Sequence, residues 1–253
     1  MSKKIVLNNK NILVTRPEGL ADSLLQRIRD AGGTAHHYPV LRICTAEDSK
    51  ILKSIIDNLS DFDIAIFISP TAVQKTFEKI KSLPEHLIIA VIGRSTETML
   101  NKFGIHAHIV PADFNSESLL LHPDLQTDNI KNKSVVIFRG IGGRDLLGSS
   151  LIQRGAKVTY AEIYKREKNP LISLTQQQLK NIDILTVTSN ESLQNLYDLT
   201  DNDSRPSLTL LPIVVPGIRA QMLAKKLGFK TVITSNNATD DACMQSLLMH
   251  FSH

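Results

Sequence analysis

Tryptophan is absent from the 253 residues, and aromatic side chains of all kinds make up only 5%. A surface that stacks single-stranded bases needs a stripe of rings, and none is written here, so no nucleic-acid partner is expected. Any binding site must instead be built from backbone amides, hydroxyls and cations. Cysteine occurs twice, at Cys44 and Cys243, in neither metal-ligand nor redox spacing, which excludes a disulfide framework and points to a reducing cytoplasm. No apolar run approaches the roughly 20 residues of a membrane-spanning helix, and Met1–Asn9 carries no apolar stretch of signal-peptide length, so a soluble, intracellular chain without a membrane partner is expected. Neither sign of charge dominates: a net charge of +4 permits an anionic ligand without demanding one.

The usual chemical signatures are missing as well. Gly140-Ile141-Gly142-Gly143 lacks the third glycine of a dinucleotide fingerprint, and there is no P-loop and no Gly-x-Ser-x-Gly elbow. His106-Ala107-His108 would place two imidazoles on one face of a strand, and His36-His37 stand side by side, but nothing nearby completes a metal set. No metal and no cofactor are expected.

What the chain does contain is a pattern written twice. Lys133 to Arg166 reads as an apolar strand (Val135–Phe138), a glycine-rich turn, a helix, and a second strand ending at Tyr164. The opening says the same in other letters: strand Ile12–Thr15, turn Arg16-Pro17-Glu18-Gly19, helix Asp22–Ala31 and its stop at Gly32. Arg16 falls over Arg139, Asp22 over Asp145 and Gly32 over Gly155. Asp63–Ser69 is mirrored by Asp183–Ser189, and Gly93 and Gly104 by Gly217 and Gly228. His106–Val110 and Thr231–Thr234 read as further strands. Continuous apolar runs such as Ile64–Ile68 mark strands buried on both faces, and their alternation with helices predicts α/β architecture with parallel sheets. At 253 residues one large domain or two of ordinary size is possible, and the repeat by itself favours two sequential domains meeting near residue 128.

In parallel α/β sheets, ligands bind beyond the carboxyl ends of the strands. Six such ends precede helices: Thr15-Arg16-Pro17, Ser69-Pro70-Thr71, Gly93-Arg94-Ser95-Thr96, Arg139-Gly140-Ile141-Gly142-Gly143-Arg144, Thr188-Ser189-Asn190 and Pro216-Gly217-Ile218-Arg219. Unpaired amides and the helix dipole favour an anion there by about 0.3–1 kcal/mol per helix end. Four of the ends add an arginine, whose fork suits a carboxylate. Taken singly, each hydroxyl is a helix cap and each arginine a solvated surface group. Recurrence in both halves is what points to a ligand with many carboxylates.

These residues, together with Leu146, Ile163-Tyr164-Lys165-Arg166 and the Thr188-Ser189 strand end, give the chain a resemblance to the uroporphyrinogen-III synthase family that spans nearly its whole length. One position departs: the family's second Gly-x-x-Thr is Gly217-Ile218-Arg219-Ala220 here, leaving Arg219 as a replacement contact. The resemblance implies two flavodoxin-like domains, each with a parallel five-stranded sheet, and a chain crossover between them. One domain would hold residues 1–37 and 168–253, the other 44–160, with 38–43 and 159–166 as paired connector strands. It further implies that linear hydroxymethylbilane, with eight carboxylates and supplied by the preceding deaminase, loses its hydroxyl and closes through a spiro intermediate with the last ring inverted. Tyr164 is the implied catalytic residue, set at the cleft, and a monomer suffices. A non-catalytic binding protein for a polyanion and a two-Rossmann glycosyltransferase are rival readings of the same architecture.

Overall fold

The structure, a computed structural model, describes residues 6–46, 50–113, 115–143 and 145–252. The described residues form ten strands: β1 (Asn11–Val14), β2 (Thr34–His37), β3 (Leu41–Thr45), β4 (Ile64–Phe67), β5 (Ile88–Val91), β6 (Ser134–Gly140), β7 (Lys157–Lys168), β8 (Ile184–Thr186), β9 (Ile213–Pro216) and β10 (Val232–Ser235). They form two five-stranded sheets, ordered β10-β9-β8-β1-β2 and β3-β7-β6-β4-β5. The chain divides into two units, Met1–Ile43 with Glu167–His253, and Cys44–Arg166. A cut near residue 128 is therefore not what the chain makes: β1 pairs in parallel with β8, Ile12 opposite Ile184 and Val14 opposite Thr186.

In the first unit every strand pair is parallel. Such a sheet is covered on both faces, which is why its inner strands β1, β8 and β9 are mainly apolar, while the edge strands β2 and β10 carry His36, His37 and Thr234. Leu13, Leu185, Ile213 and Val215 face one layer with Leu193, Leu196 and Ala224 from helices Asn190–Asp198 and Gly217–Lys226. Ile12, Val14, Ile184 and Val214 face the other, with Leu24 and Ile28 of helix Asp22–Asp30 and Leu247 of helix Asp240–Phe251. Each such buried side chain contributes about 1.5–3 kcal/mol.

The second unit is built alike around β6. Val135 and Ile137 pack with Ile64, Ile66, Leu147 and Leu151, while Phe67 and Phe138 stack with centroids 4.7 Å apart. Four of its strands are parallel. The fifth, β3, lies at the edge beside β7. Residue numbers rise on one of these strands as they fall on the other, from Val40 O accepting Asn169 N to Ala46 N donating to Ile163 O, so this pair is antiparallel. Of the expected strand His106–Val110 only Ile109 bridges to β5, opposite Ala90. His108 Nδ1 accepts the Ile89 amide at 3.0 Å and so takes the place a strand carbonyl would fill.

The doubling is visible bond by bond. Asp63 accepts Ser134 N (2.8 Å) and pairs with Lys133 Nζ (3.0 Å). Asp183 accepts Asn11 N (2.7 Å) and pairs with Lys10 Nζ (3.1 Å). In each unit this carboxylate ties the start of one interior strand, β6 or β1, to the residue before its neighbour, β4 or β8.

Candidate functional site

A pocket of about 370 Å³ opens in the second unit beyond the carboxyl ends of β4, β5 and β6. Its floor is apolar (Ile68, Ile92, Ile137, Leu147), and Ser69, Arg139, Gly140, Gly143 and Tyr164 bring polar groups to it, joined by Ser116, Gly148, Tyr160 and Arg166. Five residues expected from the sequence thus converge, and the last four were not expected. Tyr160 reads in a sequence as an ordinary strand aromatic.

Ser69, two residues beyond β4, is extended and caps helix Pro70–Phe77, its hydroxyl accepting Ala72 N at 3.1 Å. Pro70 suits the first helical position because it has no amide to leave unpaired. The same hydroxyl lies 3.2 Å from the Tyr164 phenol oxygen. Tyr164 is 7% exposed. A one-residue bulge in β7 sets it opposite Gly140, whereas the preceding pair is Arg139 with Glu162. A Cβ on Gly140 would fall 2.7 Å from two ring carbons of Tyr164, so this position takes glycine for room, not for backbone freedom.

Arg139 is the most enclosed of the strand-end arginines, 8% exposed. Nη1 donates to Asp145 Oδ1 (2.8 Å) and to Gly143 O (3.4 Å), Nη2 and Nε to Glu162 Oε1 (3.0 and 3.3 Å). Burial disfavours its charge, but the two carboxylates outweigh that and its pKa is raised. Its guanidinium lies 3.9 Å from the centroid of the Tyr160 ring. Burial, with Asp145 adding and Arg139 opposing, raises the Tyr160 pKa, so both partners hold their neutral-pH protonation states.

The remaining expected residues of this unit sit at the same sheet end outside the pocket lining. Gly93 caps helix Arg94–Lys102, Thr71 and Thr96 are buried in first turns, and Arg94 is exposed. Gly142 is exposed with φ +75°, a left-handed conformation that favours glycine. Arg144 lies outside the described residues.

The first unit carries its own set of strand ends. Thr15 is fully buried and donates to Thr186 O (2.8 Å), while Thr186 returns a bond to Leu13 O (3.1 Å), so both hydroxyls stitch β1 to β8. Arg16 Nη2 donates to Ala238 O (2.7 Å) and lies 2.7 Å from Asp240 Oδ1, at an angle that makes no hydrogen bond. His37 Nε2 bonds Arg16 O at 2.8 Å, a support for this turn that the sequence did not suggest. Pro17 and Thr188 are half-buried, Ser189 caps helix Asn190–Asp198, and Asn190 and Arg219 are exposed. Gly217 has φ +80° where its counterpart Gly93 is extended. Ala220 is fully buried, and a hydroxyl in this layer comes from Ser192, 2.9 Å from Ser189 Oγ. Ser192 follows its cap by three residues, where the second unit has Ala72 after Ser69. The two units therefore distribute their hydroxyls differently: Thr96 with Ala72, Ser192 with Ala220.

Among the described residues no cluster of His, Cys, Asp or Glu could hold a metal ion, and no helix is long and apolar enough to cross a membrane. Burial pushes the Cys243 pKa to about 12, so it stays a thiol at neutral pH.

Taken together, these features define an α/β protein of two parallel-dominated units, one of which carries a pocket lined by phenols, hydroxyls and arginines. The chain belongs to the uroporphyrinogen-III synthase family: the family model described as uroporphyrinogen-III synthase HemD matches residues 22–245. It is 31% identical to the uroporphyrinogen-III synthase of Escherichia coli over 249 residues, covering 94% of this chain and 99% of that one. It is 30% identical to that of Salmonella typhimurium over 246 residues, again covering 94% and 99%. In fold it is similar to the crystal structure of uroporphyrinogen-III synthetase from Helicobacter pylori, with a TM-score of 0.61, 14% identity, and coverage of 95% of this chain and 99% of that one. A mutant uroporphyrinogen III synthase from Thermus thermophilus gives a TM-score of 0.57 at 15% identity, with 95% and 99% covered. The chain is an enzyme of this family, which serves porphyrin biosynthesis.

Proposed function

We propose that the chain converts linear hydroxymethylbilane to uroporphyrinogen III, with loss of water and inversion of the last ring through a spiro intermediate. The observation that carries the reading beyond family membership is the Tyr164 phenol, buried at the pocket and hydrogen-bonded to Ser69 Oγ at 3.2 Å. A phenol can give its proton to a departing hydroxyl. The carbon–oxygen bond breaks, water leaves, and the pyrrole N–H yields a proton that restores the phenol. The resulting azafulvene is then attacked by the substituted carbon of the last ring. Which carbon bonds first is a matter of how the chain is held, so positioning supplies most of the control.

In this reading Arg16, Arg94, Thr96, Ser189 and Arg219 take the substrate's carboxylates. The architecture is read as two flavodoxin-like domains, residues 1–37 with 168–253 and residues 44–160, linked by strands 38–43 and 159–166. The order β2-β1-β8-β9-β10 supports that reading, because a flavodoxin sheet runs 2-1-3-4-5. The protein is taken to act as a cytoplasmic monomer on substrate delivered by a deaminase.

The test is to supply hydroxymethylbilane, oxidise the products and separate isomers I and III. Excess of isomer III is expected. Isomer I alone, as in the unaided reaction, would overturn the reading.

A further inference from the structure

The other arginines at strand ends differ from Arg139 in being more open to solvent: Arg16 is half-buried, and Arg94 and Arg219 are exposed. Arg139 by contrast is 8% exposed and already engaged by Asp145, Glu162 and the Gly143 carbonyl. A guanidinium has five N–H donors in one plane, and here that plane faces two carboxylates while one face lies on Tyr160. An arriving carboxylate would have to displace Asp145 or Glu162, or bind beside two negative charges.

What Arg139 does hold is the pocket wall. Through Gly143 it fixes the glycine turn, and through Asp145 the start of helix Leu146–Gln153. Through Glu162 it fixes β7. Tyr160 is clamped between the guanidinium and that helix so closely that a Cβ on Gly148 would stand 1.9 Å from its phenol oxygen. We propose that Arg139 is a positioning residue: it sets Tyr160 and the glycine turn as one rigid wall of the pocket, and acts on the reaction through them instead of pairing with a substrate carboxylate. This inference rests on the reaction proposed above.

The two roles predict opposite signs for the same substitutions. If Arg139 positions, Glu162→Gln and Asp145→Asn loosen it and reproduce the defect of Arg139→Gln. In all three kcat should fall, by up to about 100-fold for an ångström of misplacement, and the share of isomer I should rise. KM should change by less than about threefold, since no substrate contact is removed. If Arg139 binds a carboxylate, Glu162→Gln and Asp145→Asn free it, KM falls and the isomer ratio is unchanged. That result overturns the proposal, as does Arg139→Gln raising KM with kcat and isomer ratio intact. Should Arg139→Gln fail to fold, the two acidic variants still decide. Gly148→Ala, which displaces Tyr160 without touching charge, should also raise the share of isomer I, and an unchanged ratio counts against the wall. A wild-type protein that makes only isomer I defeats the underlying reaction instead, so the two failures are distinct.

Discussion

At Tyr164 a single oxygen separates two roles that packing alone does not distinguish. The ring fills space against Gly140, and the phenol oxygen meets Ser69. Tyr164→Phe keeps the ring and deletes only the proton donor. It should lower kcat for isomer III by about 100-fold, the scale of a lost general acid, while the melting temperature stays within a few degrees. An unaltered turnover removes Tyr164 from the chemistry. Gly140→Ala tests the packing instead: a Cβ 2.7 Å from the ring forces Tyr164 or β6 to move. The expected cost is about 1–3 kcal/mol in denaturant unfolding, as for other overpacked sites, accompanied by loss of turnover. Stability equal to wild type would mean the ring shifts freely. Tyr164 could be picked from the sequence because a family motif surrounds it. Tyr160, Ser116 and Gly148 could not, since their meaning lies in contacts made across the fold.

Among the elements, the interior strands β6 and β1 are held by the carboxylates of Asp63 and Asp183. The Asp63 pKa is lowered, first by the Ser134 amide and then by Lys133. Burial pushes Asp183 the other way, but the Asn11 amide and Lys10 prevail and its pKa too is lowered. A carboxylate with a depressed folded pKa stabilises above its unfolded value of about 3.9, and loses that contribution as pH falls towards the folded value. Asp63→Asn and Asp183→Asn keep an acceptor for the amide and delete the charge. Each should cost about 0.5–1.5 kcal/mol at pH 7. Each should also flatten the fall of stability between about pH 5 and pH 3, read from urea unfolding across pH. A variant whose acid limb matches wild type would show that the charge contributes nothing. The repeat that contains these aspartates was legible as matched letters. The bond each makes was not, because its partner lies far along the chain.

For the molecule as a whole, the two copies of the pattern are what made the topology ambiguous. β1 is followed by the same strand-turn-helix grammar as β6, so local sequence permits it beside either β4 or β8, and loop-closure entropy favours the nearer one. The choice falls on β8, where Thr15 and Thr186 exchange bonds with each other's strands and Asp183 receives Asn11. The unit Cys44–Arg166 has its central strand β6 within itself, whereas the unit ending at His253 takes the interior strand β1 from the opening of the chain. The halves should therefore separate unequally. A fragment of residues 44–166 should fold alone, giving a cooperative melt. A fragment of residues 167–253 lacks β1, whose buried Ile12, Leu13 and Val14 contribute about 1.5–3 kcal/mol each. That deficit approaches the whole stability of an ordinary domain, about 5–15 kcal/mol, before the lost ladder bonds between β1 and β8 are counted. Circular dichroism and amide exchange should find residues 167–253 unfolded, and adding residues 1–43 in trans should restore protection in β8 and β9. A folded 167–253 fragment without that addition would mean that β1 completes a sheet already formed, and that the long-range pairing is an ornament of the fold instead of its organising contact.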